Sequence, residues 1–208
     1  NGSLKHLHRL IVTSAAYRQV ADHRDDAALV DADNRLLWRM NRLRLDADSY
    51  RDFVLSSADT LDLAVGGPSV RQFVTGPPVQ LTPTLDYQSY PWAALERHRR
   101  SVYRFVWRGV PDPFMDALDF PDLGMLAPSR SFSASALQSL ALYNNSFVLH
   151  FSSELAKKIT TPTEATRRIL LREPTADELR EFNAYSQKNG LAALCRVLFN
   201  SNEFLFVN

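Results

Sequence analysis

Proline and glycine are distributed so unevenly along this chain that they divide it into three stretches with different folding prospects. Gly66-Gly67-Pro68, Gly76-Pro77-Pro78 and Thr82-Pro83 crowd one region, and Pro111, Pro113, Pro121 and Pro128 punctuate the next. Proline lacks an amide donor and clashes with the preceding helical turn, so a helix through 63–132 is excluded over any useful length. The flanks have the opposite character. Apolar residues recur there at helical spacing, which predicts helices over 1–62 and 133–208 on either side of a loop-rich centre. The expected fold is therefore mainly α: a helical domain, 1–208, with long proline-rich loops and at most a small β-hairpin.

In the first flank, Leu4, Leu7, Leu10, Ile11, Ser14 and Tyr17 predict an amphipathic helix over Leu4–Gln19. Leu36, Leu37 and Met40 predict a second over Asn34–Leu45, and Asp46 or Asp48 can cap a third reaching about Leu61, with Tyr50, Phe53 and Val54 inward. In the centre, Val70–Phe73 and the alternating Ser101–Trp107 are the candidate strands. In the last flank, Ser135–Asn144 and Phe147–Ile159 read as consecutive helices. Thr161-Pro162-Thr163-Glu164 and Thr175-Ala176-Asp177-Glu178 have the form of capping boxes, Asn189-Gly190 of a helix stop, and Leu191–Phe199 of a buried helix.

Bulk properties narrow the function classes. The formal net charge is +1 over 208 residues, which gives no global attraction for nucleic acid. No apolar run approaches the roughly 18 residues that a membrane span needs. Cys195 is the single cysteine. It cannot form an internal disulfide, and without a Cys-x-x-Cys-His motif the chain attaches no haem of its own. No phosphate-cradling or dinucleotide glycine motif and no Gly-x-Ser-x-Gly occurs. His6 and His8 stand two apart, not at the i, i+4 spacing of a helical zinc site, so no metal is assigned; a core hydrogen bond is the expected role of His8.

Three constellations could carry chemistry. Arg35, Arg39 and Arg42 share one stripe if Asn34–Leu45 is helical, with Trp38 beside them. Guanidinium forks grip carboxylate, sulfate or phosphate and an indole stacks, so this face suits a partner or an anionic glycan. The plainer reading pairs these arginines with Asp31, Asp33, Asp46 and Asp48. A second basic and aromatic set comprises Arg97, Arg100, Arg104 and Trp107, where the aromatic row could equally be core. The third is the loop acid set Asp112, Asp116, Asp119 and Asp122, of which Asp112 and Asp119 with Arg104 are the candidates for acid/base work, and solvated turn caps the plainer alternative.

Long strings of this chain resemble one family. They are Leu4–Gln19 (LKHLHRLIVTSAAYRQ), Asp33–Leu45 (DNRLLWRMNRLRL), Arg100–Phe120 (RSVYRFVWRGVPDPFMDALDF), Ala136–Val148 (ALQSLALYNNSFV) and Asn200–Val207 (NSNEFLFV). They resemble the domain of unknown function at the C-terminal end of large secreted planctomycete proteins, where it follows a cytochrome c-like domain. The resemblance implies a periplasmic or extracellular location, a cytochrome c-like or other protein partner that could hold haem, and a precursor of which this is the C-terminal piece; an oligomer of the chain is left open. The family segment keeps the Arg100–Arg104 pattern, which implies a specific task for Arg104. Two departures stand out: Ser135-Ala136 replaces the Thr-Pro usual before the Leu-Gln-x-Leu helix, and Lys157–Arg168 is shortened. The expected function is an interaction or structural module of a large secreted or surface assembly; the alternative is an enzyme part acting on polysaccharide.

Overall fold

The computed structural model describes residues 2–79, 82–93 and 98–207. The fold is mainly α with one small hairpin, and the chain divides into two compact units, Leu45–Leu205 and a smaller one comprising Asn1–Arg44 with Phe206–Asn208.

The larger unit holds the core. Helix α3 (Ala47–Ser57) starts where the Asp46 carboxylate accepts the Ser49 amide at 2.8 Å. It buries Tyr50, Val54 and Leu55, while Phe53, expected inward, is 48% exposed. α4 (Pro113–Ala117) buries Phe114 and Met115. α5 (Ala136–Asn144) and α6 (Ser146–Ala156) are separate helices because Asn145 takes an extended conformation and caps α6 through Phe147 N at 2.9 Å. α7 (Pro162–Leu170) and α8 (Ala176–Asn189) both begin with complete capping boxes, Thr161 with Glu164 and Thr175 with Glu178. Gly190, at φ 85°, ends α8 and lets α9 (Leu191–Phe199) follow at once. α10 (Asn202–Leu205) closes the unit.

The core follows from spacing. α6 buries Phe147, Val148, Phe151 and Leu155, and α9 buries Leu194, Cys195, Leu198 and Phe199; both sets recur every three to four residues, so each helix turns one apolar stripe toward the other. Tyr50 fills the space between Phe114 and Phe204, at ring separations of 6.2 and 5.6 Å.

The hairpin is not where alternation placed it. β2 (Val74–Val79) pairs antiparallel with β3 (Thr82–Asp86), and its register shifts between Gly76 and Val79, where Pro77 and Pro78 cannot donate to a ladder. A Cβ on Gly76 would sit 2.6 Å from Thr84 Oγ1, so a side chain there would force Thr84 to shift. The expected strands contribute a single bridge, Val70 with Arg104, and Ser101–Tyr103 forms a 3₁₀ turn.

The smaller unit corrects two more expectations. α1 covers Leu4–Val12 only, because the Thr13 and Ser14 hydroxyls donate back to Arg9 O and Ile11 O at 2.7 Å, and Leu4, Leu7, Leu10 and Ile11 are exposed. His8 is exposed as well, not a core histidine. A short helix α2 spans Asp25–Val30. The predicted Asn34–Leu45 helix is absent. Asn34 and Leu37 take positive φ (54° and 55°), and the Asp31 carboxylate accepts the amides of Arg35 and Leu36 at 3.0 and 2.7 Å. Local side-chain acceptors thus outcompete the helical ladder. The stretch ends in β1 (Leu43–Arg44), paired antiparallel with β4 (Phe206–Val207).

A charged knot ties α8 to α10. Arg172 forks onto Glu178 at 2.7 and 2.8 Å and reaches Glu203 at 2.7 Å. The Arg172 hydrogen bonds, and then the Thr175 amide, hold the Glu178 carboxyl down at about 2. A depressed carboxylate stabilises the fold above its unfolded pKa, so this contribution is full above about pH 4.5 and is lost as pH falls toward 2. A carboxyl-carbon NMR titration should show Glu178 titrating well below the ordinary glutamate value, and Arg172→Met should move it back toward that value.

Candidate binding cleft around Arg104

Arg104 is the centre of the most developed site in the larger unit. Its backbone amide closes the 3₁₀ turn onto Ser101 O at 3.0 Å, and the bridge to Val70 fixes its direction. The side chain is 4% exposed. Nε donates to Gln72 Oε1 at 2.9 Å, and Nη2 is ion-paired and hydrogen-bonded to Asp112 Oδ2. The other Asp112 oxygen caps α4 by accepting Phe114 N at 3.0 Å. A buried arginine is thereby satisfied by a carboxylate that also starts a helix, which couples strand-like 70–72, the 3₁₀ turn and α4.

Two cavities flank this pair. One, of about 370 Å³, is lined by Tyr87, Phe105, Trp107 and Phe120 among apolar residues, and by the carboxylates of Asp112, Asp116 and Asp122. The other, more open and about 740 Å³, is lined by Asp48, Asp52, Arg100 and Arg130. Arg104, Val106, Phe120, Pro121 and Leu123 line both, so they form two lobes of one cleft. The aromatic lobe is braced from behind. Phe73 packs on Tyr87 and Phe105 at 5.5 and 5.9 Å, Phe105 lies 5.9 Å from Trp107, and the Tyr87 hydroxyl donates to Val110 O at 2.7 Å. Burial and the nearby Asp112 charge push the Tyr87 phenol up to about 12, so it remains a donor.

The charged lobe is pre-paired. Arg130 holds Asp48 at 2.8 Å, and Asp52 accepts Ser101 N at 2.8 Å and Arg51 at 3.0 Å. Burial raises the Asp48 carboxyl despite Arg130. Burial, and after it the Arg104 charge, draws the Arg51 guanidinium down to about 10, so it stays protonated at neutral pH behind the lobe.

The sequence candidates are distributed as follows. Arg100, Arg104, Trp107 and Asp112 meet in this cleft. Asp119 does not pair with Asp112 for acid/base work: at φ 61° it accepts Ser133 N and Oγ and Gln138 Nε2 at 2.7 to 2.9 Å, tethering the 120–135 loop. Asp122 turns the same loop by accepting Gly124 N at 2.7 Å. Arg35, Trp38, Arg39 and Arg42 belong to the smaller unit, where no helix aligns them. There Trp38 donates to Asp31 O at 2.8 Å and carries the Arg39 and Arg24 guanidiniums over its ring at 5.1 and 5.8 Å. Arg97 lies outside the described residues. Sequence reasoning missed Asp48, Asp52 and Tyr87 as cleft residues and Gln72 as the acceptor behind Arg104. The one signal was that Asp48 and Asp52 sit one turn apart on α3, which puts both on one face.

Elsewhere, His98 is the buried histidine: Nε2 lies 2.6 Å from Trp92 O, a carbonyl that only accepts, so Nε2 carries the proton. Burial lowers its pKa. Cys195 is fully buried in α9 and its thiol is pushed up to about 12 by burial. Native protein should therefore react with a disulfide reagent more than about 100-fold slower than the urea-unfolded chain, since only the thiolate attacks. Equal rates would show that α9 opens readily. Among the described residues no group of three or more His, Cys, Asp or Glu side chains is placed to hold a metal ion, and no helix is long and apolar enough to cross a membrane.

No curated protein and no solved structure matches the chain. A family does match, and it covers most of each unit and the Arg104 cleft: residues 1–186 fit PSD1, described as a protein of unknown function (DUF1553), and the chain belongs to that family.

Proposed function

We propose that this chain is an interaction module of a larger secreted or surface assembly, and that the Arg104 cleft is where its partner docks. The observation that carries this reading is the pre-pairing of the cleft charges: Arg104 with Asp112 and Arg130 with Asp48. A catalytic site needs polar groups left able to act on a substrate, whereas these are spent on each other and hold a rigid, aromatic-walled recess. A cytochrome c-like domain, a further copy of the chain and an anionic glycan are the partners to compare, and the location that fits them is periplasmic or extracellular.

Hydrogen exchange on the native assembly and on the isolated chain tests the proposal. Protection of residues 104–123 in the assembly alone is the expected result. Identical exchange in both, with the native chain eluting as a monomer, would overturn it.

One observation favours a second reading, cleavage of polysaccharide. Burial raises the Asp48 carboxyl from its ordinary value in the open lobe, the direction that a general acid needs. Release of reducing ends from a polysaccharide by the native chain, abolished in Asp48→Asn, would favour it over docking.

A further inference from the structure

The charged lobe is bordered by Arg100 and Ser101, and the residue two positions before Arg100 is a histidine sealed from water. His98 is 2% exposed, its ring packs edge-on to Phe151 at 4.9 Å, and Nε2 donates to Trp92 O at 2.6 Å. Nδ1 is therefore the unprotonated nitrogen, and among the described residues it has no hydrogen-bond partner. A proton added in place can go only there. It would create an enclosed cation whose new N–H finds no acceptor.

The surroundings do not favour that cation. On α3, Arg51 is itself buried, and its Nε and Nη2 have no partner among the described residues. Its carboxylate, Asp52, lies 3.0 Å from Nη1, also accepts Ser101 N and Oγ at 2.8 Å, and stands 4.0 Å from Arg100 Nε. On α6, His150 packs on Phe151 at 4.9 Å and gains a positive charge of its own in acid, while Glu154 is held by Lys157 at 2.6 Å. Among the described residues the charges acting on His98 are Arg51 and His150, which oppose its protonation, and Glu154, which favours it.

The same stretch is bonded into the lobe. Asp62 N donates to His98 O at 2.9 Å, and Arg51 Nη1 donates to Arg99 O at 2.9 Å and to Ser101 Oγ at 3.2 Å. A displaced His98 ring thus carries Arg99 O and Ser101 with it, and these are the groups that seat Arg51 and Asp52 behind the lobe.

We propose that His98 is an acid-operated latch on the charged lobe: uptake of a proton at Nδ1 drives the ring out of the Phe151 cluster and draws 98–101 away from Arg51 and Asp52. The direction follows from linkage. Burial first, and less strongly the Arg51 charge, lowers the His98 pKa from its ordinary 6.5. The open state then binds more protons than the closed one, so the latch holds fully above about pH 6.5 and weakens as pH falls toward the closed-state pKa. The inference rests on the docking reading for its consequence, release of a bound partner in acid; the opening itself is read on the chain alone.

Amide hydrogen exchange on the full chain from pH 7.5 to 5, corrected for intrinsic exchange chemistry, tests it at Ser101 and Arg104 against Leu198 in α9. The opening constant at Ser101 and Arg104 should rise by up to about tenfold per pH unit below about 6.5 and should exceed that at Leu198 throughout. His98→Gln, whose side-chain amide can donate to Trp92 O without titrating, should abolish the rise, and His150→Gln should leave it. A titration of the His98 ring protons in the wild-type chain needs no variant: its midpoint should lie below 6.5, where the rise levels off. A flat opening constant, the same rise in His98→Gln, a His98 midpoint at or above 6.5, or one opening constant shared by Ser101 and Leu198 would each overturn the latch. Opening of the isolated chain while the assembly keeps its protection at 104–123 at pH 5 would overturn the release role. Absence of that protection at neutral pH would overturn docking and leave the opening standing.

Discussion

Arg104→Ala is expected to destabilise the protein by about 3–5 kcal/mol, the range for removing one partner of a buried ion pair. The guanidinium is 4% exposed and Asp112 is 17% exposed, so its loss leaves a carboxylate largely shielded from water beside an α4 start. Gln72 Oε1 loses its Arg104 donor at the same time. Arg104→Lys should recover little, because one ammonium cannot span Gln72 and Asp112 with the fixed fork that arginine provides. The double variant Arg104→Met/Asp112→Asn should recover most of the loss, since the asparagine oxygen can still cap Phe114 N and no charge is left buried. Urea midpoints of the three variants decide the matter. An Arg104→Ala midpoint within about 0.5 kcal/mol of wild type would show that the pair is solvated and that the cleft lacks its rigid base.

The second large effect lies in the core. Phe151→Ala should cost about 3–5 kcal/mol, as deletion of a fully enclosed ring does. Phe151 is 0% exposed and makes ring contacts with Phe147 at 4.8 Å, His98 at 4.9 Å and Trp92 at 6.1 Å. Its neighbours are Phe147 on α6 itself and Trp92 and His98 from outside it, so they cannot collapse into the space without moving against the helix. Phe151→Leu, which keeps most of the volume, should cost less than half as much. Thermal melts of both variants test this, and equal losses would mean that edge-to-face ring geometry, not volume, governs the site. Because His98 donates to Trp92 O from this cluster, the alanine variant should also weaken that hydrogen bond.

Legibility divided along a physical line. The C-terminal helices were readable to within three residues because their signals are local. Thr161 with Glu164 and Thr175 with Glu178 cap through partners three positions away, and Gly190 stops a helix through its own backbone freedom. The Asn34–Leu45 stretch misled because its apolar spacing is helical while Asp31 and Asn34 offer acceptors to amides four and five residues on, which periodicity does not register. The hairpin misled in the reverse direction. Pro77 and Pro78 argue against a strand, yet a register shift at the edge of a two-stranded ribbon leaves their missing donors without consequence.

The candidate site split the same way. Arg104, Trp107 and Asp112 were visible as residue types suited to recognition, and they lie within nine residues of one another. That Arg104 is closed off by Asp112, and Asp119 spent on Ser133 and Gln138, was not visible, because charge complementarity alone allows many pairings among these loops.

By itself the sequence determined the helical class, the caps of α7 and α8, the stop at Gly190 and the apolar stripes of α6 and α9, since each depends on residues within one or two turns. Only the tertiary structure decided which charges pair, that Asp48 and Asp52 share a cleft with Arg104, and that Tyr87, Phe105 and Trp107 line its other lobe. Those outcomes depend on contacts between segments tens of residues apart, whose distances are set by packing and not by spacing along the chain.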